Sequence, residues 1–173
     1  MKVLVIQQRM GIGDMIIFLP YIHAISKKFQ SKVSLLVKKS SKAKDLCADD
    51  ECVGEIINLD INKDGSGRHN GLVGFFRLAR EIKGKKFDKI FIFNGSLRFF
   101  FLAKLAGIKS INQYPLFIRK DNIVLTAKNF TEKFIEADVL IQPNLFLNQH
   151  KIDKAKNKYK FDNNLNHVCI GFS

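Results

Sequence analysis

The sequence lacks any close-spaced cysteine pair. Its three cysteines, Cys47, Cys52 and Cys169, are odd in number, follow no CxxC spacing and have no neighbouring histidine pair, which points to neither a zinc site nor a disulfide framework. Free thiols suit a reducing cytoplasm. No glycine is followed by the Lys-Ser or Lys-Thr pair of a phosphate-cradling P-loop, which excludes that motif. No apolar run is long enough to span a bilayer: the longest, Met15 to Ile25, is interrupted by Pro20 and His23. Lys2 is followed by only a short apolar stretch before Gln7-Gln8-Arg9, too little for a signal-peptide core. Internal repeats and low-complexity tracts are absent as well. The expectation is a cytoplasmic protein, soluble or at most peripheral to the inner membrane.

Acidic residues are also few, 16 against 29 Lys and Arg, for a formal net charge of +13. That surplus favours phosphorylated, nucleic or anionic-membrane partners without choosing among them. The basic clusters at Lys38-Lys39, Lys83 to Lys89 and Lys151 to Lys160 are scattered and form no single arm.

What is present is a globular core. The chain has 173 residues, of which 46% are hydrophobic, enough for one full domain. Strand-like runs rich in Val, Ile and Phe recur at Lys2–Ile6, Lys32–Val37, Glu55–Leu59, Lys89–Phe93 and Ile123–Leu125. Helical spacing is expected over Asp14–Phe29, Leu72–Ile82 and Leu97–Ala106, the last two closing at Gly84 and Gly107 with left-handed caps. A longer helix is expected from Phe130 to Asn148, then a polar run, Lys151 to Asn166, and a short new strand in HVCIGFS. Alternation of apolar strands with helices is the signature of a parallel sheet covered on both faces.

In such sheets ligands bind at the carboxyl ends of the strands, where the first strand-to-helix turn is the usual contact. Here that turn is Gly11-Ile12-Gly13-Asp14. It is a weak dinucleotide fingerprint, because Ile16 stands where the third glycine belongs. The second strand runs into Lys38-Lys39, not a ribose-binding acid, which leaves only a 2′-phosphate (NADP) version open. Asp14 is then a helix cap, a general base, or both: a carboxylate held by a rigid turn at a ligand-facing edge can take a proton from an attacking hydroxyl.

Three stretches, VLVIQQRMGIGDMIIFLPYIHAISKKF, KKFDKIFIFNGSLRFFFLAKLAGIKSI and HVCIGFS, resemble the bacterial lipopolysaccharide heptosyltransferases of glycosyltransferase family 9. The first is similar to the family's opening strand, Gly-Asp turn and proline-containing helix; the second to its fourth strand, Gly-Ser-Leu-Arg turn and helix; the third to the first strand of its second domain. The resemblance implies an α/β fold, a Rossmann-like open parallel sheet with helices on both faces, forming the N-terminal half of a GT-B glycosyltransferase. It implies an acceptor-binding domain over residues 1–150, a linker over 151–166 and the first strand of a truncated donor-binding domain over 167–173. The chemistry implied is inverting transfer of heptose or a related sugar from a nucleotide sugar, ADP-heptose in the family, to a lipopolysaccharide core or lipid-linked acceptor. No cofactor or metal is implied, and the isolated half is expected to be inactive.

By the same resemblance Asp14 matches the catalytic base. Acceptor-binding residues are expected at Gly13, at Asn94, Gly95, Ser96 and Arg98 of the second turn, and at Lys63, Arg68 and His69 of the glycine-containing loop NKDGSGRHNG, expected to be mobile. Arg98 is either a clamp for an acceptor phosphate or carboxylate, or an ordinary helix-surface arginine. Two departures stand out: Asn94 replaces a longer polar residue, and NFTEKF, from Asn129, lacks a histidine that many members carry. The rival from another class is a standalone nucleotide- or RNA-binding module. The aromatic-basic interleaving of an RNA-recognition motif is missing, so specific nucleic-acid binding is not expected.

Overall fold

A computed structural model of the protein describes residues 1–115 and 122–160. Its strands are β1 (Val3–Gln7), β2 (Val33–Val37), β3 (Val53–Asn58), β4 (Lys89–Ile92) and β5 (Ser110–Gln113). They form one five-stranded sheet in the order β3-β2-β1-β4-β5, with every pairing parallel. The longer helices are α1 (Ile12–Phe29), α3 (Gly71–Lys85), α4 (Leu97–Leu105), α5 (Ile123–Ile135) and α6 (Gln149–Tyr159), with a short α2 at Ala43–Leu46. This is the Rossmann-like α/β sheet that the alternation predicts.

The period of two along β1 sorts its side chains to opposite faces. Val3 and Val5 join α1 and α5 in one core cluster, with Phe18, Tyr21, Phe91 and Phe130. Leu4 and Ile6 join α3 and α4 in the other, with Leu78, Ile82, Phe99 and Leu102. Both faces of β1 are therefore dry, which explains its uninterrupted apolar run. Each large side chain fully buried here contributes roughly 1.5–3 kcal/mol. On the α1/α5 face Phe93 stacks edge-on against Phe18 and Phe130, at 5.0 and 5.1 Å between ring centroids.

The elements differ from the sequence reading in several places; α6, for one, fills much of the run expected as a linker over 151–166. Ile123–Leu125 is the first turn of α5 and not a strand: Asn122 Oδ1 accepts from the Val124 and Leu125 amides and fixes a helix start. A three-residue apolar run does not distinguish strand from helix, and the cap decides. Consequently the expected helix over Phe130–Asn148 begins earlier and ends at Ile135, where Glu136 closes it in the left-handed region at φ 53°. NFTEKF thus lies within α5. β5 was not anticipated, because Ser110–Gln113 is a polar edge strand. Finally, α3 runs through Gly84 to Lys85 and is closed by Lys86 in the left-handed region, φ 55°, whereas Gly107 does adopt the expected left-handed conformation, φ 78°. The strand expected at 167–173, with Cys169, lies outside the described residues.

Candidate functional site

The sheet's order reverses at β1: β2 and β3 lie to one side, β4 and β5 to the other. The chain leaves β1 and β4 side by side, with the Phe93 amide still donating to the Ile6 carbonyl at 3.0 Å. The turns into α1 and α4 therefore open from adjacent strand ends. They diverge to opposite faces, since α1 and α4 belong to different core clusters. A crevice between such diverging turns is where open α/β sheets place their ligands.

In the first turn Gly11 is the N-cap of α1 and Asp14 the third helical residue. Asp14 thus does not cap the first-turn amides; its Oδ2 reaches back and accepts from the Gly11 amide at 3.2 Å, the reciprocal half of a capping box. Its Oδ1 lies 3.6 Å from Arg9 Nη1, and its side chain keeps 28% of its exposure. A methyl group on Gly11 would stand 3.2 Å from Asp14 Oδ2, whereas one on Gly13 would meet nothing within 4 Å. The carboxylate is fixed on one side and open on the other.

The second turn is tied into itself. Asn94 Oδ1 accepts from the Ser96 amide at 2.6 Å, and Ser96 Oγ, the N-cap of α4, accepts from the Arg98 amide at 3.3 Å. Gln113 at the end of β5 donates from Nε2 to the carbonyls of both Asn94 and Ser96, each at 2.9 Å. Gly95 lies between these anchors. The Ser96 and Arg98 amides therefore already have partners within the turn.

Arg98 is not a free clamp. Its guanidinium donates to the His69 carbonyl and lies over the Phe75 ring, 5.5 Å from the centroid. It thereby joins the 60–70 loop to the first turn of α4. That loop is tied down as well, contrary to the expected mobile connection. The His69 amide donates to the Asp60 carbonyl at 2.9 Å, the Arg68 amide to Asp60 Oδ2 at 3.0 Å, and Asn70 bonds the Asn62 backbone in both directions. α3 presses against it so closely that a Cβ on Gly74 would lie 2.4 Å from the His69 carbonyl carbon.

His69 is buried, and the Asp60 amide donates to its Nδ1 at 3.1 Å. The ring proton is therefore on Nε2, a long 3.5 Å from Glu81 Oε2. Burial pushes the imidazole pKa below its ordinary 6.5, with Arg68 acting in the same direction and Glu81 against it. A neutral, enclosed histidine latches the loop; it does not offer a cation to a phosphate. Arg68 pairs with Glu81. Lys63 is exposed on the outside of the loop. The structure thus groups Gly13 with Asp14, groups Asn94, Gly95, Ser96 and Arg98, and links the second group to His69 through Arg98.

Sequence reasoning misses four residues at this edge. Gln7, the last residue of β1, is fully buried, and neither atom of its amide has a partner. Arg9 holds Asp14, and Gln113 holds the second turn. Tyr114, one residue past β5, has a buried, unpartnered hydroxyl; burial raises its pKa, and Arg9 opposes the shift. A glutamine closing an otherwise apolar strand is the signal that could have found Gln7, because a buried amide needs hydrogen-bond partners.

A separate trio of metal-capable donors, His23, Asp50 and Cys52, lies within 4.8 Å of one another. Sequence spacing could not show it, because α1 and the turn before β3 bring it together. Both Asp50 oxygens are already engaged: His23 Nε2 donates to Oδ2 at 2.8 Å and the Cys52 amide to Oδ1 at 2.9 Å. The trio accordingly works as a latch on α1.

No protein-family model matches the sequence, and no curated protein matches it either. The fold does match solved structures. The structure of a glycosyl transferase family 9 protein from Veillonella parvula DSM 2008 aligns with a TM-score of 0.70 at 18% identity, over 92% of this chain and 49% of that one. The E. coli ADP-heptose lps heptosyltransferase II aligns with a TM-score of 0.62 at 16% identity, over 94% of this chain and 52% of that one. The E. coli heptosyltransferase WaaC with ADP aligns with a TM-score of 0.55 at 12% identity, over 77% and 47%. The chain spans about half the length of these structures. At such identities the likeness is one of fold.

Proposed function

We propose that this chain is the acceptor-binding half of an inverting glycosyltransferase, acting with a donor-binding half that supplies the nucleotide-sugar site. In this reading residues 1–150 hold a lipopolysaccharide core or lipid-linked sugar acceptor, and residues 151–166 lead to the donor half, beginning at 167. The observation that carries it is Asp14: a carboxylate fixed by the Gly11 amide and Arg9, still accessible, at the point where the strand order reverses. The likeness of the whole sheet to heptosyltransferase structures supports the same reading.

The chemistry follows from that position. Asp14 accepts the proton of the acceptor hydroxyl as its oxygen attacks the anomeric carbon. The bond from that carbon to the nucleotide diphosphate breaks, and a single displacement inverts the configuration. Developing negative charge on the diphosphate is met by cations and backbone amides of the donor half, which requires no metal. Gly13 leaves room beside Asp14 for the acceptor. Lys63 and Arg68 are exposed cations of the 60–70 loop, Arg68 already paired with Glu81, while Asn94, Gly95, Ser96 and Arg98 make the second turn, joined to the buried His69 through Arg98.

The test is an assay of residues 1–173 with ADP-heptose and a heptose-accepting lipid. Measurable acceptor binding without turnover is the expected result. Multiple turnovers would overturn the half-enzyme reading, and absence of acceptor binding would overturn the acceptor assignment. Tight, steeply salt-dependent binding of RNA in its place would favour a nucleic-acid module.

A further inference from the structure

We infer that the outer surface of α3 and α4 is a docking face for an anionic lipid bilayer. This deepens the proposed function by giving a lipid-linked acceptor a route to the site, but it stands on a separate observation. Leu72 and Val73 of α3 are 78% and 74% exposed, and Phe76, Leu97, Phe101 and Leu105 are each about half exposed or more. Leu72, Phe101 and Leu105 share a groove between the two neighbouring helices with Gly71, Phe75, Arg98 and Lys104, and helical spacing sets Phe76 beside Leu72 and Val73, and Leu97 beside Phe101. Isolated exposed apolar side chains are ordinary, but a contiguous set on adjacent helices marks an interaction surface.

The charge beside that surface selects the occupant. The solvent stripe of α3 continues from Val73 and Phe76 into Arg77, Arg80 and Lys83, and that of α4 carries Lys104. Against these cations the two helices hold a single carboxylate, Glu81, already paired with Arg68. A second copy of the chain is a poor partner, because a two-fold contact would set the same cations against one another. An anionic bilayer accepts both parts: aromatic and aliphatic side chains enter the headgroup boundary while the cations meet lipid phosphates. Leu72, Val73 and Leu97 sit in the first turns of the two helices, Phe76 and Phe101 one turn further on, and Leu105 closes α4.

The test is co-sedimentation of the full chain with sugar-free vesicles, either pure phosphatidylcholine or phosphatidylcholine containing phosphatidylglycerol. Because these vesicles carry no acceptor, failure here leaves the transferase reading intact, and failure of transfer leaves this inference intact. The expected result is binding to the anionic vesicles only, reduced about tenfold or more in the double variant Phe76→Ser/Phe101→Ser. Leu140→Ser, on an exposed leucine away from α3 and α4, should bind like wild type. Both variants change surface positions, and their circular dichroism verifies folding. Equal binding of wild type and the double variant would reduce the interaction to net charge and overturn the inference. So would absence of binding, or a dimer that Phe76→Ser/Phe101→Ser dissolves.

Discussion

The two turns that open from β1 and β4 use polar residues in opposite ways. At the first, Asp14 spends one oxygen on the Gly11 amide and sets the other 3.6 Å from an exposed arginine, remaining accessible. At the second, Asn94, Ser96, Gln113 and Arg98 satisfy the turn's own backbone and the neighbouring loop. Both look like ligand-contacting turns in the sequence. The difference teaches that a turn rich in hydrogen-bonding residues is as readily a rigid wall as a binding site. The group left partly unengaged is Asp14, and the proposed chemistry rests on it.

The sharpest way to break this contrast is at Asp14. In an enzyme carrying both halves, Asp14→Asn should lower transfer by about 10²–10⁴-fold, the range typical of losing a general base. Its melting temperature should hardly change, because asparagine can still accept from Gly11. A large fall in stability with normal transfer would reduce Asp14 to a helix-start residue.

Arg98→Ala should do the reverse. It removes a charge-assisted bond to the His69 carbonyl and the contact with Phe75, a loss of about 2–3 kcal/mol in stability. Amide exchange should speed up in the 60–70 loop. Lost transfer at unchanged stability and exchange would instead make Arg98 an acceptor clamp and erase the contrast.

Gly74→Ala addresses the loop from α3. The added methyl meets the His69 backbone, and relieving that overlap should cost about 1–3 kcal/mol, more than alanine's helix preference of about 1 kcal/mol returns. A stabilised variant would show that the loop yields easily.

The smallest effect concerns pH. Because the folded His69 pKa lies below 6.5, the unfolded chain binds the proton more readily as pH falls through that value. Stability should be complete above about 6.5 and decline below it, towards the lower folded pKa, with a slope of at most about 1.4 kcal/mol per pH unit. Melting temperatures of wild type and His69→Gln from pH 8 to 5 should show a component of the decline that the variant lacks. Parallel profiles would mean that His69 is not an enclosed latch.

Much of the fold was legible in the sequence. Buried parallel strands must be apolar on both faces, so Val3–Gln7, Val33–Val37 and Lys89–Ile92 announce themselves as near-continuous runs. The edge strand Ser110–Gln113 did not, because one flank of an edge strand has no neighbour to bury it. Ile123–Leu125 misled because three apolar residues satisfy either period. The turn residues were visible as types: glycine, aspartate, asparagine, serine and arginine after strands.

Sequence by itself determined the alternation, the placement of Asp14 after the first strand and the excess of positive charge. The tertiary structure alone decided which polar groups remain available, because hydrogen-bond partners come from distant parts of the chain. Arg98 finds His69, Gln113 finds Asn94 and Ser96, and His23 finds Asp50 only once the sheet has formed. It also decided that Leu72, Val73, Phe76 and Phe101 stay outside the core. The sheet covers one side of each helix, and periodicity does not say whether an apolar residue on the other side will find cover.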